Sequence, residues 1–109
     1  MGRLADVIRS GGESVAPAEV EAALADAPGV QELAVVGIPD AQWGELVCAV
    51  VVPTPGGRPS LDALRAHCEG RLAGFKRPRR LELVEALPRT AATGQVQRAL
   101  LVERIASGL

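Results

Sequence analysis

The chain has 109 residues, 48% of them apolar, and a formal net charge of −1. That length supports one domain with one modest core and excludes two. A near-neutral balance excludes an overall field for nucleic acid or an anionic membrane, so any anion site must be a local cluster.

Leu4 to Arg9 reads as a short strand or extended lead-in, broken at Ser10-Gly11-Gly12. Pro17 suits the first turn of a helix, where its missing N–H costs nothing. Glu19 and Glu21 follow near the positive helix end, and Val20, Ala23, Leu24 and Ala27 recur at helical spacing before Pro28-Gly29. The pattern predicts an amphipathic helix over 17–26. Glu32 to Ile38 and Leu46 to Val52 are short apolar runs rich in β-branched residues, as in strands covered on one face and largely on the other. The link Pro39 to Glu45 is short enough to make them antiparallel neighbours. Cys48 sits inside the second run as a small buried hydrophobe.

Thr54 to Pro59 is a loop, and Ser60 is a good N-cap with Asp62 in the first turn. Leu61, Leu64, Cys68 and Leu72 form a helical stripe that Gly74 stops. His67 and Cys68 are adjacent on that helix and point in different directions, so they make neither a metal-ligand pair nor a nucleophile with its base. Leu81 to Val84 alternates with acids as a half-exposed strand. Pro88 to Gly94 is a polar loop, and Val96, Leu100, Leu101 and Ile105 mark a last amphipathic helix. The order is strand, helix, strand, strand, helix, strand, helix. It predicts an α+β domain over 1–109, with helices packed on a mostly antiparallel sheet. No run approaches a membrane span, no apolar leader follows Met1, and two unpatterned thiols suit a reducing compartment. The expected location is the cytoplasm.

The chemistry gathers in one stretch. Arg71, Lys76, Arg77, Arg79 and Arg80 fall within ten residues of one another, beside Phe75, one of only two aromatics. Arginines grip phosphate oxygens in pairs, and an exposed ring offers a stacking face to a base. A solvated basic loop is the plain alternative. For the other aromatic, Trp43, packing near strand ends is the simplest role.

Four stretches, in order, carry a family resemblance: Gly2-Arg3-Leu4-Ala5-Asp6-Val7-Ile8 with Ser10-Gly11-Gly12-Glu13; Pro17-Ala18-Glu19-Val20-Glu21; Val35-Val36-Gly37-Ile38-Pro39-Asp40 with Trp43-Gly44-Glu45; and Phe75-Lys76-Arg77-Pro78, then Leu87-Pro88-Arg89-Thr90 and Thr93-Gly94. Together they resemble the C-terminal domain of the adenylate-forming (AMP-binding) acyl-CoA synthetase/ligase family. The resemblance implies two half-reactions. A carboxylate attacks the α-phosphate of ATP, with Mg2+, and gives acyl-AMP and pyrophosphate on a large adenylating domain. The small domain then rotates, and the CoA thiol attacks the acyl-AMP.

The resemblance also implies residue roles. Phe75, Arg77 and Arg79 match the patch that holds the CoA nucleotide. Gly12 lines the thiol's passage, where glycine lets backbone approach ligand, whereas Gly11 can be a plain break between strand and helix. Trp43 lies near that passage. The segment 1–8 carries the hinge, with Ala5 where the family has an acidic residue or lysine. Gln95 stands where the family has the lysine that meets the attacking carboxylate and the α-phosphate, and the loop before it carries one extra residue, Ala91 or Ala92. Removing a fixed charge of that kind costs about 100- to 1,000-fold in rate. The reading is therefore a small domain that contributes CoA binding and thioester formation but is poor in adenylation. It requires a large adenylating domain as partner, in cis or in trans. The alternatives are a non-catalytic decoy or regulatory domain that docks on an adenylating domain, and a fragment of a longer ligase cut just before the hinge. A nucleic-acid-binding domain using residues 71–80 is opposed by the net charge and the lack of a second exposed aromatic.

Overall fold

A computed structural model describes residues 7–108. β3 (Val30–Asp40) and β4 (Gly44–Pro53) pair antiparallel along their whole length and form the spine of a five-stranded sheet. β3 occupies one side of β4. The other side takes β1 (Ile8–Ser10) at Gly44 and β5 (Arg80–Leu83) at Cys48 to Val51, the latter parallel. β2 (Glu13–Val15) pairs antiparallel with β1 at the edge. The sheet is thus mostly antiparallel, as expected, with β5 the exception.

Both faces of the spine are covered. Val35, Val47, Ala49 and Val51 pack under α1 (Pro17–Leu24) and α2 (Leu61–His67) with Val20, Leu24, Leu64 and Cys68. Ala34, Val36, Ile38, Cys48 and Val50 pack under α3 (Arg98–Ala106) with Leu87, Leu101 and Ile105. Double coverage explains why both strands read as continuous apolar runs rather than alternating ones. The outer edge of β3 is blunted by a carboxylate: Val35 N donates to Glu21 Oε2 at 2.9 Å, and Arg98 Nη2 donates to the same oxygen at 2.7 Å. Pro39 shares the parity of Val35, so its missing N–H falls on this outward side and costs no ladder bond.

Several expectations are corrected. Ser10-Gly11-Gly12 is not a break between strand and helix but the tip of the β1–β2 hairpin. Ser10 pairs with Glu13, and the two glycines between them have φ +61° and +83°. A two-residue hairpin with positive φ at both central positions is the turn that matches strand twist. The first helix ends at Leu24 rather than 26. The second ends at His67, and its stripe continues through turns in which Arg71 N and Leu72 N donate to Cys68 O. Ser60 caps it as expected, its hydroxyl accepting from Ala63 N at 3.1 Å. Glycine 74 opens a short 3-10 turn, Gly74–Lys76.

Candidate functional site

Two hairpin tips meet at one end of the sheet. Asp40 Oδ2 accepts from Gln42 N and Trp43 N at 3.0 and 2.9 Å, which closes the β3–β4 turn and sets Trp43. Trp43 O accepts from Gly11 N at 2.9 Å, tying this turn to the Gly11-Gly12 turn. The indole packs against Gly11, where an added Cβ would lie 2.9 Å from Cε3, whereas a Cβ on Gly12 would meet nothing within 4 Å. The guanidinium of Arg79 lies 4.0 Å from the Trp43 ring centroid, a cation–π stack. Glu45 completes the junction, its Oε1 accepting from Arg9 N at 2.8 Å.

The basic stretch is pinned to the same sheet. Arg65 Nη1 donates to Pro78 O at 2.7 Å and Arg79 N donates to Val47 O at 2.8 Å. Within it the structure sorts the cations. Arg71 pairs with Asp26, Lys76 with Glu19, and Arg80 with Glu82. Among the described residues Arg77 and Arg79 have no acidic partner, and the Nε of each is buried without a hydrogen bond. Phe75 is among the few large apolar side chains left exposed, at 36%. The cation over that ring is Lys76, its Nζ 5.7 Å from the centroid, and a short stretch that carries an exposed ring and two guanidinium groups without carboxylate partners among the described residues can take an anionic nucleotide.

Gln95 lies elsewhere. Residues 89–96 form a small hairpin with Arg89 opposite Val96. Val96 packs against the α3 side of the core, so strand alternation turns its neighbour Gln95 outward, and Gln95 is exposed. The hairpin is tied to the start of β3, where Arg89 Nη2 meets Glu32 Oε1 at 2.8 Å. The Trp43 cluster sits beyond the far end of that strand. The two positions are therefore separated by nearly the length of β3, roughly 25 Å at the usual strand rise.

The thiols offer no nucleophile. Burial pushes Cys48 up to about 12 and also raises Cys68. His67 Nε2 lies 2.8 Å from Asp26 Oδ1, not against Cys68. Hydrogen bonds from His67 and Arg71 hold the Asp26 carboxyl below its ordinary value of 3.8. Among the described residues no three His, Cys, Asp or Glu side chains gather as a metal-ligand set, and no helix is long and apolar enough to cross a membrane.

Of the residues singled out from sequence, Gly12, Trp43 and Arg79 come together at the hairpin junction, with Phe75 and Arg77 on the stretch leading to it. Gln95 stands apart, and Ala5, assigned to the hinge, lies outside the described residues. Sequence reasoning missed Glu45, Asp40 and Arg89. All three sit in quoted stretches, so their presence was marked. Arg89 acts through a partner 57 residues away, which no local pattern reveals.

A family model of the AMP-binding enzyme C-terminal domain matches residues 19–93. The chain is 46% identical over 102 residues to 4-chlorobenzoate–CoA ligase from Pseudomonas sp. (strain CBS-3), covering 93% of this chain and 19% of that protein. It is 48% identical over 100 residues to a feruloyl-CoA synthase from Amycolatopsis sp., covering 88% and 20%. Among solved structures it resembles a Mycobacterium tuberculosis fatty acyl CoA synthetase with a TM-score of 0.88 and 40% identity, over 97% of this chain and 21% of that one. The chain thus spans about a fifth of the length of these relatives.

Proposed function

The chain belongs to the family of AMP-binding enzyme C-terminal domains, and from that premise we propose that it serves the thioester-forming half of an ATP-dependent acyl-CoA ligase while supporting adenylation poorly. It works with a large adenylating domain that binds ATP and the carboxylic acid. Its own contribution is to hold the nucleotide part of CoA and to admit the thiol.

The observation that carries this reading is the sorting of cations in the basic stretch. Three are neutralised by carboxylates, while Arg77 and Arg79, two and four residues after the exposed Phe75, have no acidic partner among the described residues. Guanidinium groups grip phosphate oxygens, and the ring gives adenine a face. Trp43 is stacked by Arg79 on its ring and packed against Gly11. We assign it to holding the guanidinium and the glycine turn in place. Open space over Gly12 leaves its backbone approachable.

The adenylating role belongs to position 95, at the other end of β3. A fixed cation there would stabilise the charge that builds as a carboxylate attacks the α-phosphate. Gln95 is one bond shorter than a lysine and carries no charge. The remoteness of the two positions suits a domain that presents one face to each half-reaction.

The test joins the chain to the large domain of the 4-chlorobenzoate–CoA ligase. One arm supplies ATP and 4-chlorobenzoate. The other supplies the preformed acyl-AMP and CoA. Product from the second arm alone supports the reading. No product in either arm identifies a non-catalytic docking domain instead.

A further inference from the structure

The loop that carries Gln95 is held by a single forked side chain. Arg89 Nη1 donates to Gly94 O at 2.9 Å, and Arg89 Nη2 donates to Glu32 Oε1 at 2.8 Å. One arm of the guanidinium therefore grips the carbonyl just before residue 95. The other anchors it to β3, directly beyond the register shift between Val30 and Glu32. A bulge of this kind re-aims the side chains next to it.

Around that fork the main chain of residue 95 is fixed on both sides. Thr90 N donates to Gln95 O at 2.9 Å, and Gly94 N donates to Thr90 O at 2.8 Å. Thr93 Oγ1 lies 2.6 Å from Thr90 Oγ1 and accepts from Gln95 N at 3.3 Å. Gly94 turns the chain with φ +73°. Only the side chain of residue 95 is left unconstrained, and it points to solvent. The Arg89–Glu32 pair is close to half exposed at both ends, 44% and 42%, so it adds little to global stability. Its effect is local: it couples the loop to the sheet.

We propose that Arg89, braced by Glu32, is a positioning residue for side chain 95 in the adenylating half-reaction. This deepens the function proposed above and rests on its assignment of position 95. The physical warrant is that a reacting group displaced by about 1 Å can lose roughly 100-fold in rate. The fork does what lysine could not. A planar guanidinium with parallel donors bridges a carbonyl and a carboxylate at once, whereas an ammonium on a flexible stem is a point charge.

The experiment uses the chain joined to the large domain of 4-chlorobenzoate–CoA ligase in a Gln95→Lys background, where the first half-reaction is measurable. Arg89→Ala and Glu32→Ala should each lower ATP–pyrophosphate exchange about tenfold or more. The double variant should lose no more than the worse single one, because both remove one bridge. Arg89→Lys should fall between. Thioester formation from preformed acyl-AMP and CoA should be unchanged in all of them, which a merely structural defect would not spare. Equal loss in both half-reactions, or no loss in either, overturns the proposal.

A second readout does not depend on position 95. Gly94 N donates to Thr90 O and Gln97 N to Pro88 O, each at 2.8 Å, and amide hydrogen exchange at both in the chain itself should quicken at least tenfold in Arg89→Ala, with β3 and β4 amides unaffected. If Gln95→Lys fails to raise pyrophosphate exchange, the assignment of position 95 falls. The bracing of the loop is then decided by these amides, and unchanged protection at Gly94 rejects it.

Discussion

Replacing Gly11 by alanine would put a Cβ 2.9 Å from Trp43 Cε3 and 3.0 Å from Cζ3, on a backbone with φ +61°. The left-handed backbone and the forced movement of a ring already held by Arg79 together cost about 2–4 kcal/mol. Gly12→Ala has the backbone term alone, since no atom lies within 4 Å of its Cβ, and should cost about 1–2 kcal/mol. Urea unfolding of the two variants, with the slope unchanged, measures the difference. Trp43→Leu should recover part of the Gly11→Ala loss, because the two changes share one contact. In the joined enzyme, Gly12→Ala should slow thioester formation from acyl-AMP and CoA while leaving pyrophosphate exchange intact. Equal destabilisation at the two glycines would refute the packing argument. Wild-type thioester formation in Gly12→Ala would refute the assignment of that turn to the thiol's path.

Two further outcomes follow from the charges. Arg77→Ala should weaken CoA binding by roughly 10- to 100-fold, the value of a hydrogen bond to a charged group, and an unchanged dissociation constant by titration calorimetry contradicts the nucleotide assignment. Asp26 has a depressed folded-state pKa, so its stabilising effect is full above the unfolded carboxyl value near 3.8 and is lost as pH falls through the lower folded value. Asp26→Asn should therefore reduce the thermal midpoint slightly at pH 7 and leave it unmoved at strongly acidic pH. A loss equal at both pH values would show that the His67 and Arg71 contacts do not depend on the carboxylate charge.

The elements built from local signals were the legible ones. Ser60 marked its own helix start because capping is decided within three residues. β3 and β4 announced themselves because burial on both faces demands unbroken apolar runs. β2 was not foreseen: it is three residues long and only Val15 of them is buried, so it carries no period, although two successive glycines are themselves a hairpin signal. The site divides the same way. Phe75, Arg77, Arg79 and Trp43 stood out by composition and family resemblance. Arg80 is neutralised by Glu82, two residues on, but the neutralisation of Arg71 and Lys76 depends on Asp26 and Glu19, more than 40 residues away, and is settled by how the α1 and α2 regions pack. The bracing of residues 89–96 by Glu32 belongs to that same long-range class.

ATP–pyrophosphate exchange by this chain joined to a competent adenylating domain, before and after Gln95→Lys, bears most directly on the reading of a weakened first step. The account predicts slow exchange that rises about 100- to 1,000-fold once the ammonium is supplied. Exchange already as fast as in the parent ligase, or unaltered by the substitution, would contradict it.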